Sequence, residues 1–285
     1  MYTPYPINRF CSFIACKIVT LLLFFSILFT PQTSFAAKKN EIEIISVQYI
    51  PGWEDENMVT WGAIKFTLNP GWKTYWKKPG PFGIPPVFNW SKSENIQDIE
   101  FFWPTPKIFH EFGTKVIGYK DVLTIPLKII KISSSEDAIL NINLEFGICS
   151  DICLLKTAKI NSPIKDHASN KNFDLINKAL KKVPSKVVDQ IFSISQCSIN
   201  RSQKELSVSY LIHLAKPLVS EPTVIIDYAF SDQYVENRII RVDEKTLRVN
   251  ALLTNIHEDE GLIERNRLIT LLIFENESFE IRGCG

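Results

Sequence analysis

The sequence FGICSDICLLK at residues 146–156 holds two cysteines, Cys149 and Cys153, in a C-x3-C spacing. Apolar and polar residues alternate along residues 139–146 and apolar residues recur after the second cysteine, a pattern typical of half-buried strands. Four residues of straight strand span about 13 Å, whereas a disulfide needs its Cα atoms within about 7 Å. The two cysteines can therefore bond only across a turn, and the Ser-Asp dipeptide between them suits a turn. We predict a hairpin with one cysteine at each end of its turn.

The first 36 residues differ in character from the rest of the chain. Arg9 and Lys17 precede an apolar run at residues 18–29, small residues end at Ala36, and no acidic residue lies in this part. This order is typical of a secretory signal peptide. We expect residues 1–36 to be a signal peptide cleaved after about Ala36, and the mature protein to be exported. An uncleaved anchor is the alternative, although the apolar run is shorter than the roughly 20 residues that a spanning helix needs.

The composition of the 285 residues is that of a globular protein, with 45% hydrophobic and 22% charged residues. This length suits one large or two ordinary domains. The formal net charge of +1 offers no basic field for nucleic acid, so we expect no nucleic-acid partner.

Strand-like segments separated by proline- and glycine-rich turns fill the first half of the chain. All six tryptophans lie at or before residue 103, and this break in composition indicates two domains with different cores. Pro126 within the longest run predicts a sheet edge or a bulge, because proline cannot donate to a sheet ladder. We predict strands in this half at residues 41–49, 58–68, 87–90, 99–103 and 121–132.

The period changes to that of a helix at residues 170–190. Phe173, Ile176, Leu180 and Val183 share one helical face, and the following proline ends the pattern. The second half returns to short strands with turn signals between them, as in a β-sandwich. We predict these strands at residues 192–199, 206–214, 223–230, 238–242, 247–253, 268–274 and 279–282.

Four cysteines remain once residues 1–36 are removed, and an exported protein with an even number of cysteines is expected to form disulfides. Four cysteines allow three pairings. The spacing favours Cys149–Cys153 and Cys197–Cys284. The second pair joins the first and last strands of the second half, so we expect it to be a structural disulfide.

Signatures of other chemistry are scarce. The four histidines stand alone in the sequence, and neither an HExxH motif, a serine elbow, a P-loop nor a GxGxxG motif is present. The C-x3-C pair is therefore the candidate for chemistry.

Four ordered blocks resemble a known family. They are GWKTYWKKPGPFGIPP at residues 71–86, WPTPKIF at 103–109, IGYKDVLTIPL at 117–127 and FGICSDIC at 146–153. Together they resemble the periplasmic N-terminal domain of the thiol:disulfide interchange protein DsbD and the related ScsB proteins. The resemblance implies an immunoglobulin-like sandwich whose cysteine pair carries electrons without a metal or organic cofactor. Electrons would come from a membrane thiol-transport protein and pass to periplasmic thioredoxin-like proteins.

The resemblance also assigns residues. Cys149 and Cys153 would be the catalytic pair, and Phe112 would be the aromatic shield of a cap loop over them. We therefore expect an all-β chain of two immunoglobulin-like β-sandwich domains joined by a short helical linker, after the N-terminal signal peptide. The domains would be residues 37–166, with the C-x3-C pair, and residues 191–285, with the linker at residues 167–190.

Two features depart from the family pattern. The cysteine spacing is three, as in ScsB-like members, rather than five, and the proline-containing segment after the second cysteine is replaced by Leu154, Leu155 and Lys156. No membrane or thioredoxin-like domain follows within the 285 residues, so we expect a separate protein to supply electrons.

Two other functions compete with a thiol:disulfide relay. In one, the chain is a periplasmic protein-binding module whose disulfides are only structural. In the other, the two thiolates bind Cu(I), for which they are soft ligands, although neither methionine nor histidine lies near the pair to complete the coordination.

Overall fold

The structure, a computed structural model, describes residues 45–55, 59–80, 82–111, 113–164, 170–186, 191–202, 205–228, 236–253 and 264–284. The expected signal peptide lies outside these residues. Residues 43–285 form one compact unit. Within the described ranges, no helical segment combines the length and the apolar character that a membrane span requires.

The chain is built almost wholly of strands with one α-helix among the described residues. In chain order the elements are β1 (Ile45–Glu54), β2 (Val59–Leu68), β3 (Lys73–Tyr75), β4 (Val87–Asn89), β5 (Ile96–Phe101), β6 (Lys107–Glu111), β7 (Thr114–Lys120), β8 (Val122–Lys131), β9 (Ala138–Cys149), β10 (Cys153–Ile164), α1 (Asn170–Leu180), β11 (Ser185–Lys186), β12 (Phe192–Ser202), β13 (Glu205–Leu214), β14 (Thr223–Tyr228), β15 (Glu236–Arg241), β16 (Thr246–Leu253), β17 (Leu268–Ile273) and β18 (Ser278–Arg282).

The first ten strands form two sheets that enclose one core. One sheet has the order β1-β2-β8-β5, and the other has the order β10-β9-β3-β7-β6, with β4 also pairing with β9. Phe66 of β2 meets Phe146 of β9 edge to face across the core, with ring centroids 5.3 Å apart. Alternate residues of β9 point into this core, and Leu140, Ile142 and Leu144 are almost completely buried, as period-two alternation predicts. We call these two sheets the first sandwich.

The remaining strands form a second pair of sheets, which we call the second sandwich. The orders are β11-β18-β17-β14 and β12-β13-β16-β15. Tyr210 of β13 reaches across to Thr270 of β17, and their hydroxyl oxygens lie 2.6 Å apart. Among the described strand pairs, β11 and β18 are parallel and the others are antiparallel. The predicted all-β fold of immunoglobulin-like sandwiches is confirmed, and the boundaries of the two domains remain predictions.

The predicted helix is present but shorter than the periodicity suggested. It ends at Leu180, and the chain then enters β11, which pairs with β18 of the second sandwich. Ile176 is completely buried, and Phe173 contacts Trp53 of β1 with ring centroids 4.8 Å apart. The apolar face of α1 thus packs on the first sandwich, and the linker region also contributes a strand to the second.

Neither the sheet edge nor the bulge predicted at Pro126 is observed, since the register between β2 and β8 is unbroken at this residue. Its strand, β8, lies between β2 and β5 and is not at an edge. The carbonyl oxygen of Pro126 accepts a hydrogen bond from the backbone N–H of Phe102, just beyond the end of β5. The N–H and C=O of a strand residue point to the same side. A backbone N–H at position 126 would therefore point toward the chain beyond the end of β5, so its absence in proline removes no hydrogen bond of the β5–β8 ladder.

Candidate redox site

The hairpin predicted from the C-x3-C spacing is present. Cys149 is the last residue of β9, Cys153 is the first residue of β10, and the two face each other across the pair. Their Cα atoms are 4.1 Å apart and their sulfur atoms form a disulfide. The turn is closed by a 3.0 Å hydrogen bond from the backbone N–H of Ser150 to the carbonyl oxygen of Ile152.

The two sulfur-bearing residues differ in their exposure. Cys149 is only 1% exposed and belongs to a small buried cluster with Tyr75 and Val116. Cys153 is exposed. An incoming thiolate can therefore reach the residue at position 153 far more easily than its partner, and access is one of the factors that decides which sulfur is attacked.

A buried tyrosine contacts the exposed cysteine. The hydroxyl oxygen of Tyr75, on β3, lies 3.4 Å from Sγ of Cys153, and Tyr75 is 2% exposed. Burial raises the pKa of the Tyr75 phenol above its ordinary value, so the hydroxyl keeps its proton. A disulfide sulfur has no hydrogen, so Tyr75 is the donor in this contact.

The chain that follows β3 packs, through Ile84, on the face of the sheet that carries Tyr75 and Cys149. We call residues 76–80 and 82–86 the cover segment. Its Ile84 packs against the cluster of Tyr75 and Cys149, and the carbonyl oxygen of Ile84 accepts a 3.2 Å hydrogen bond from the N–H of Gly147. A Cβ atom at position 147 would lie 2.6 Å from Cβ of Ile84 and 2.7 Å from the Tyr75 ring. Glycine at this position therefore permits the close approach of the cover segment.

Positive charge lies beside the buried cysteine. Lys73 of β3 is opposite Cys149 on one side and opposite Lys120 of β7 on the other. The Nζ atoms of Lys73 and Lys120 lie 5.4 and 4.9 Å from the centre of the Phe109 ring. Burial and the neighbouring charge of Lys120 lower the pKa of Lys73, while Asp151 acts in the opposite direction. Ammonium groups near a cysteine favour its thiolate form.

Phe112, the predicted cap-loop shield, lies outside the described residues. The residues around it form a hairpin, β6 and β7, which the sequence did not predict. Gly113 next to it has a φ of +78°, a left-handed conformation that suits glycine at a hairpin tip. This hairpin belongs to the sheet that holds the cysteines, and Val116 of β7 contacts the buried cluster at Cys149. The shielding role of Phe112 remains a prediction.

The second cysteine pair is also joined in the structure. Cys197 of β12 and Cys284 after β18 form a disulfide with Cα atoms 5.5 Å apart and a sequence separation of 87 residues. Cys284 is completely buried in the core of the second sandwich. This disulfide therefore ties the two sheets of that sandwich together, far along the chain from the C-x3-C pair.

Two contacts of polar side chains were not predicted from the sequence. His213 does not stand alone, because its Nε2 lies 2.7 Å from the hydroxyl of Ser195 on the neighbouring strand. Tyr75 is 78 residues from Cys153, and no local spacing predicts their contact. Within the described ranges, no cluster of three or more histidine, cysteine, aspartate or glutamate residues could hold a metal ion.

Comparison with known proteins places the hairpin in a matched region. A family model described as "Thiol:disulfide interchange protein DsbD, N-terminal" matches residues 46–164. The crystal structure of the N-terminal periplasmic domain of ScsB from Proteus mirabilis is similar, with a TM-score of 0.65 and 22% sequence identity. The match covers 85% of this chain and 95% of that chain, and it indicates a shared fold. No curated protein matches the chain.

Proposed function

Because residues 46–164 form a DsbD N-terminal-like domain, we propose that this chain is a periplasmic thiol:disulfide interchange protein that passes electrons through Cys149 and Cys153. The observation that carries the proposal is the unequal exposure of the pair, with Cys149 buried and Cys153 exposed at the tip of a hairpin. A pair of this kind offers one sulfur for attack and keeps the other out of reach until the disulfide opens.

The reaction is a thiol–disulfide exchange in two steps. A partner's thiolate attacks Sγ of Cys153, the bond between the two cysteines breaks, and Cys149 leaves as a thiolate that takes up a proton. The partner's second thiolate then attacks the mixed disulfide, and Cys153 leaves in the same way. Two electrons and two protons pass from the partner dithiol to the pair, and the reverse sequence reduces an oxidised partner.

The surroundings of the pair support both steps. Lys73 lies opposite Cys149 in the sheet, and a positive charge next to a cysteine favours its thiolate. The Tyr75 hydroxyl can donate to the thiolate of Cys153 from its position 3.4 Å away. A hydrogen bond to a charged group is stronger than one to a neutral group, so the Tyr75 contact stabilises the reduced pair relative to the disulfide.

Exposed apolar side chains flank the reactive sulfur. Ile152 and Leu155 are each 60% exposed, and Leu155 lies two residues after Cys153, on the same face of β10. Such residues suit docking of a protein partner. We propose a membrane thiol-transport protein as electron donor and periplasmic thioredoxin-like proteins as acceptors.

The reduction potential of the C-x3-C pair tests the proposal. We expect a value above about −300 mV, the range below which structural disulfides of secreted proteins lie, together with exchange with a thioredoxin-like protein. Alkylation and mass spectrometry at defined glutathione ratios measure both disulfides in one sample, with Cys197–Cys284 as the internal control. A value well below −300 mV without exchange would instead favour a binding module with inert disulfides.

A further inference from the structure

A buried carboxylate of the second sandwich binds two lysines of the first. The side chain of Asp227, on β14, is 4% exposed, and its Oδ2 lies 2.5 Å from Nζ of Lys77. Its Oδ1 has no hydrogen-bond partner of regular geometry, but Nζ of Lys78 lies 2.7 Å away. Lys78 also donates a hydrogen bond to the carbonyl oxygen of Tyr228. One carboxylate thus joins two consecutive cationic residues.

The sheet that carries Asp227 is covered on both faces. Ile225 of β14 and Leu271 of β17 belong to the core of the first sandwich, whereas Ile226 and Leu272 belong to the core of the second. Asp227 lies two residues after Ile225 and therefore on the same face of the strand. The buried carboxylate of Asp227 therefore lies on the face of β14 that also contributes apolar side chains to the core of the first sandwich.

The two lysines belong to the cover segment and follow β3 after one residue, Trp76. The backbone N–H of Trp76 donates to the carbonyl oxygen of Ile117 at 3.0 Å, and the N–H of Ile117 donates to Pro79 at 2.8 Å. Lys77 and Lys78 lie between these two anchors. Tyr75, which contacts Cys153, is two positions before Lys77. The ion pairs therefore act on the backbone next to the disulfide.

The charge of Asp227 favours its ion pairs with Lys77 and Lys78. Burial raises the pKa of the Asp227 carboxyl, but the charges of Lys77 and Lys78 outweigh it and hold the pKa below its ordinary value. The carboxylate is therefore ionised at neutral pH. Loss of this charge would leave two ammonium groups beside a buried surface, which destabilises the packed position of the cover segment.

We propose that Asp227 is a positioning residue through which the second sandwich holds the cover segment, and with it Tyr75 and Ile84, against the Cys149–Cys153 disulfide. This gives the second sandwich a task at the redox site. The inference rests on the proposed function for its biological meaning. Its physical content, control of access to one disulfide, is measured without any protein partner.

The test compares the rates at which dithiothreitol reduces the two disulfides of the full chain, each followed by alkylation and mass spectrometry. In Asp227→Asn we expect Cys149–Cys153 to be reduced about five-fold faster, because opening of the cover segment, which exposes the buried sulfur of Cys149 in addition to that of Cys153, now costs less free energy. The rate for Cys197–Cys284 is expected to stay unchanged. Lys77→Gln and Lys78→Gln each leave one ion pair at Asp227, and we expect smaller increases in the same direction.

Lys186→Gln is the matched control. It removes an exposed ion pair, Lys186 with Glu100 at 3.8 Å, that also joins the two sandwiches, and it should leave both rates unchanged. An unchanged Cys149–Cys153 rate in Asp227→Asn would overturn the inference, as would equal acceleration of both disulfides, which would indicate general destabilisation. Absence of exchange between the wild-type chain and a thioredoxin-like protein would instead refute the proposed function alone.

Discussion

The hydroxyl oxygen of Tyr75 lies 3.4 Å from Sγ of Cys153, although the two residues are 78 positions apart in the sequence. The contact exists because β3 lies beside β9 in the sheet, with Lys73 directly opposite Cys149. It turns a hairpin disulfide into a site with a defined hydrogen-bond donor.

Tyr75→Phe should lower the reduction potential of the Cys149–Cys153 pair. The change removes a donor that stabilises the Cys153 thiolate while it keeps the aromatic ring in place. A hydrogen bond worth about 1 kcal/mol corresponds to a shift of about 20 mV toward more negative values for a two-electron couple. Equilibration with glutathione measures the shift. Tyr210→Phe, which removes a hydroxyl contact in the second sandwich, should leave the potential unchanged. An equal potential in the wild type and Tyr75→Phe would exclude this role.

Gly147→Ala should destabilise the protein and expose the disulfide. The added Cβ would lie 2.6 Å from Ile84 and 2.7 Å from the Tyr75 ring, so the cover segment must move. Overpacking of this kind costs about 1–3 kcal/mol. We expect a lower free energy of unfolding by urea denaturation and faster reduction of Cys149–Cys153 by dithiothreitol.

Gly62→Ala is the control for that change. Its Cβ would lie 2.7 Å from the Tyr49 hydroxyl, in the other sheet of the first sandwich. It should lower stability without changing the reduction rate of the disulfide. If both alanine variants change that rate equally, the packing of the cover segment does not control access.

The Cys197–Cys284 disulfide should act on stability rather than on electron transfer. It links residues 87 positions apart, and the chain-entropy model gives about 4–5 kcal/mol for such a loop. A Cys197→Ala, Cys284→Ala variant should melt roughly 10 °C lower and still exchange through Cys149 and Cys153. Calorimetry with an exchange assay checks both parts. Loss of exchange in a variant that remains folded would assign this pair a redox role as well.

Much of the fold followed from the sequence because its strands alternate strongly. The strands of the second half were predicted within a few residues of their observed ends, for example β13 at Glu205–Leu214 and β16 at Thr246–Leu253. The hairpin of β6 and β7 was missed because its first strand is only five residues long and follows Pro104 and Pro106. Short segments next to prolines carry little periodic signal.

The contacts that define the site could not be predicted in the same way. The approach of Asp227 to Lys77 and Lys78 joins the two sandwiches, and the sequence carries no periodicity that relates such distant charges. Pairing of Cys149 with Cys153 was predictable because the hairpin constraint is local. Burial of one cysteine and exposure of the other depends on the position of Tyr75 and Ile84, which only the three-dimensional fold supplies.

The ion pairs at Asp227 predict how stability depends on pH. The folded-state pKa of this carboxyl lies below its ordinary value of 3.8, so its stabilising contribution is complete above that value and is lost as the pH falls through the lower, folded value. Asp227→Asn lacks this contribution. At neutral pH the variant should be less stable by about 3 kcal/mol, and the difference should shrink as the pH falls below about 4. Urea denaturation from pH 2.5 to pH 7 measures it. If the stability difference between the wild type and Asp227→Asn did not depend on pH, the ion pairs of the Asp227 carboxylate would not be its cause.

Trapping of a mixed disulfide shows which sulfur of the C-x3-C pair reacts with a protein partner. Cys149→Ala leaves the exposed Cys153 free, and Cys153→Ala leaves the buried Cys149 free. Each variant is mixed with a thioredoxin-like protein in which the resolving cysteine has been replaced. The remaining active-site cysteine of that protein is first activated as a mixed disulfide with a small aromatic thiol. Adducts are then detected by mass spectrometry. We expect an adduct through Cys153 in the first variant and little or none in the second. The absence of an adduct in both variants, or a preference for Cys149, would contradict this expectation.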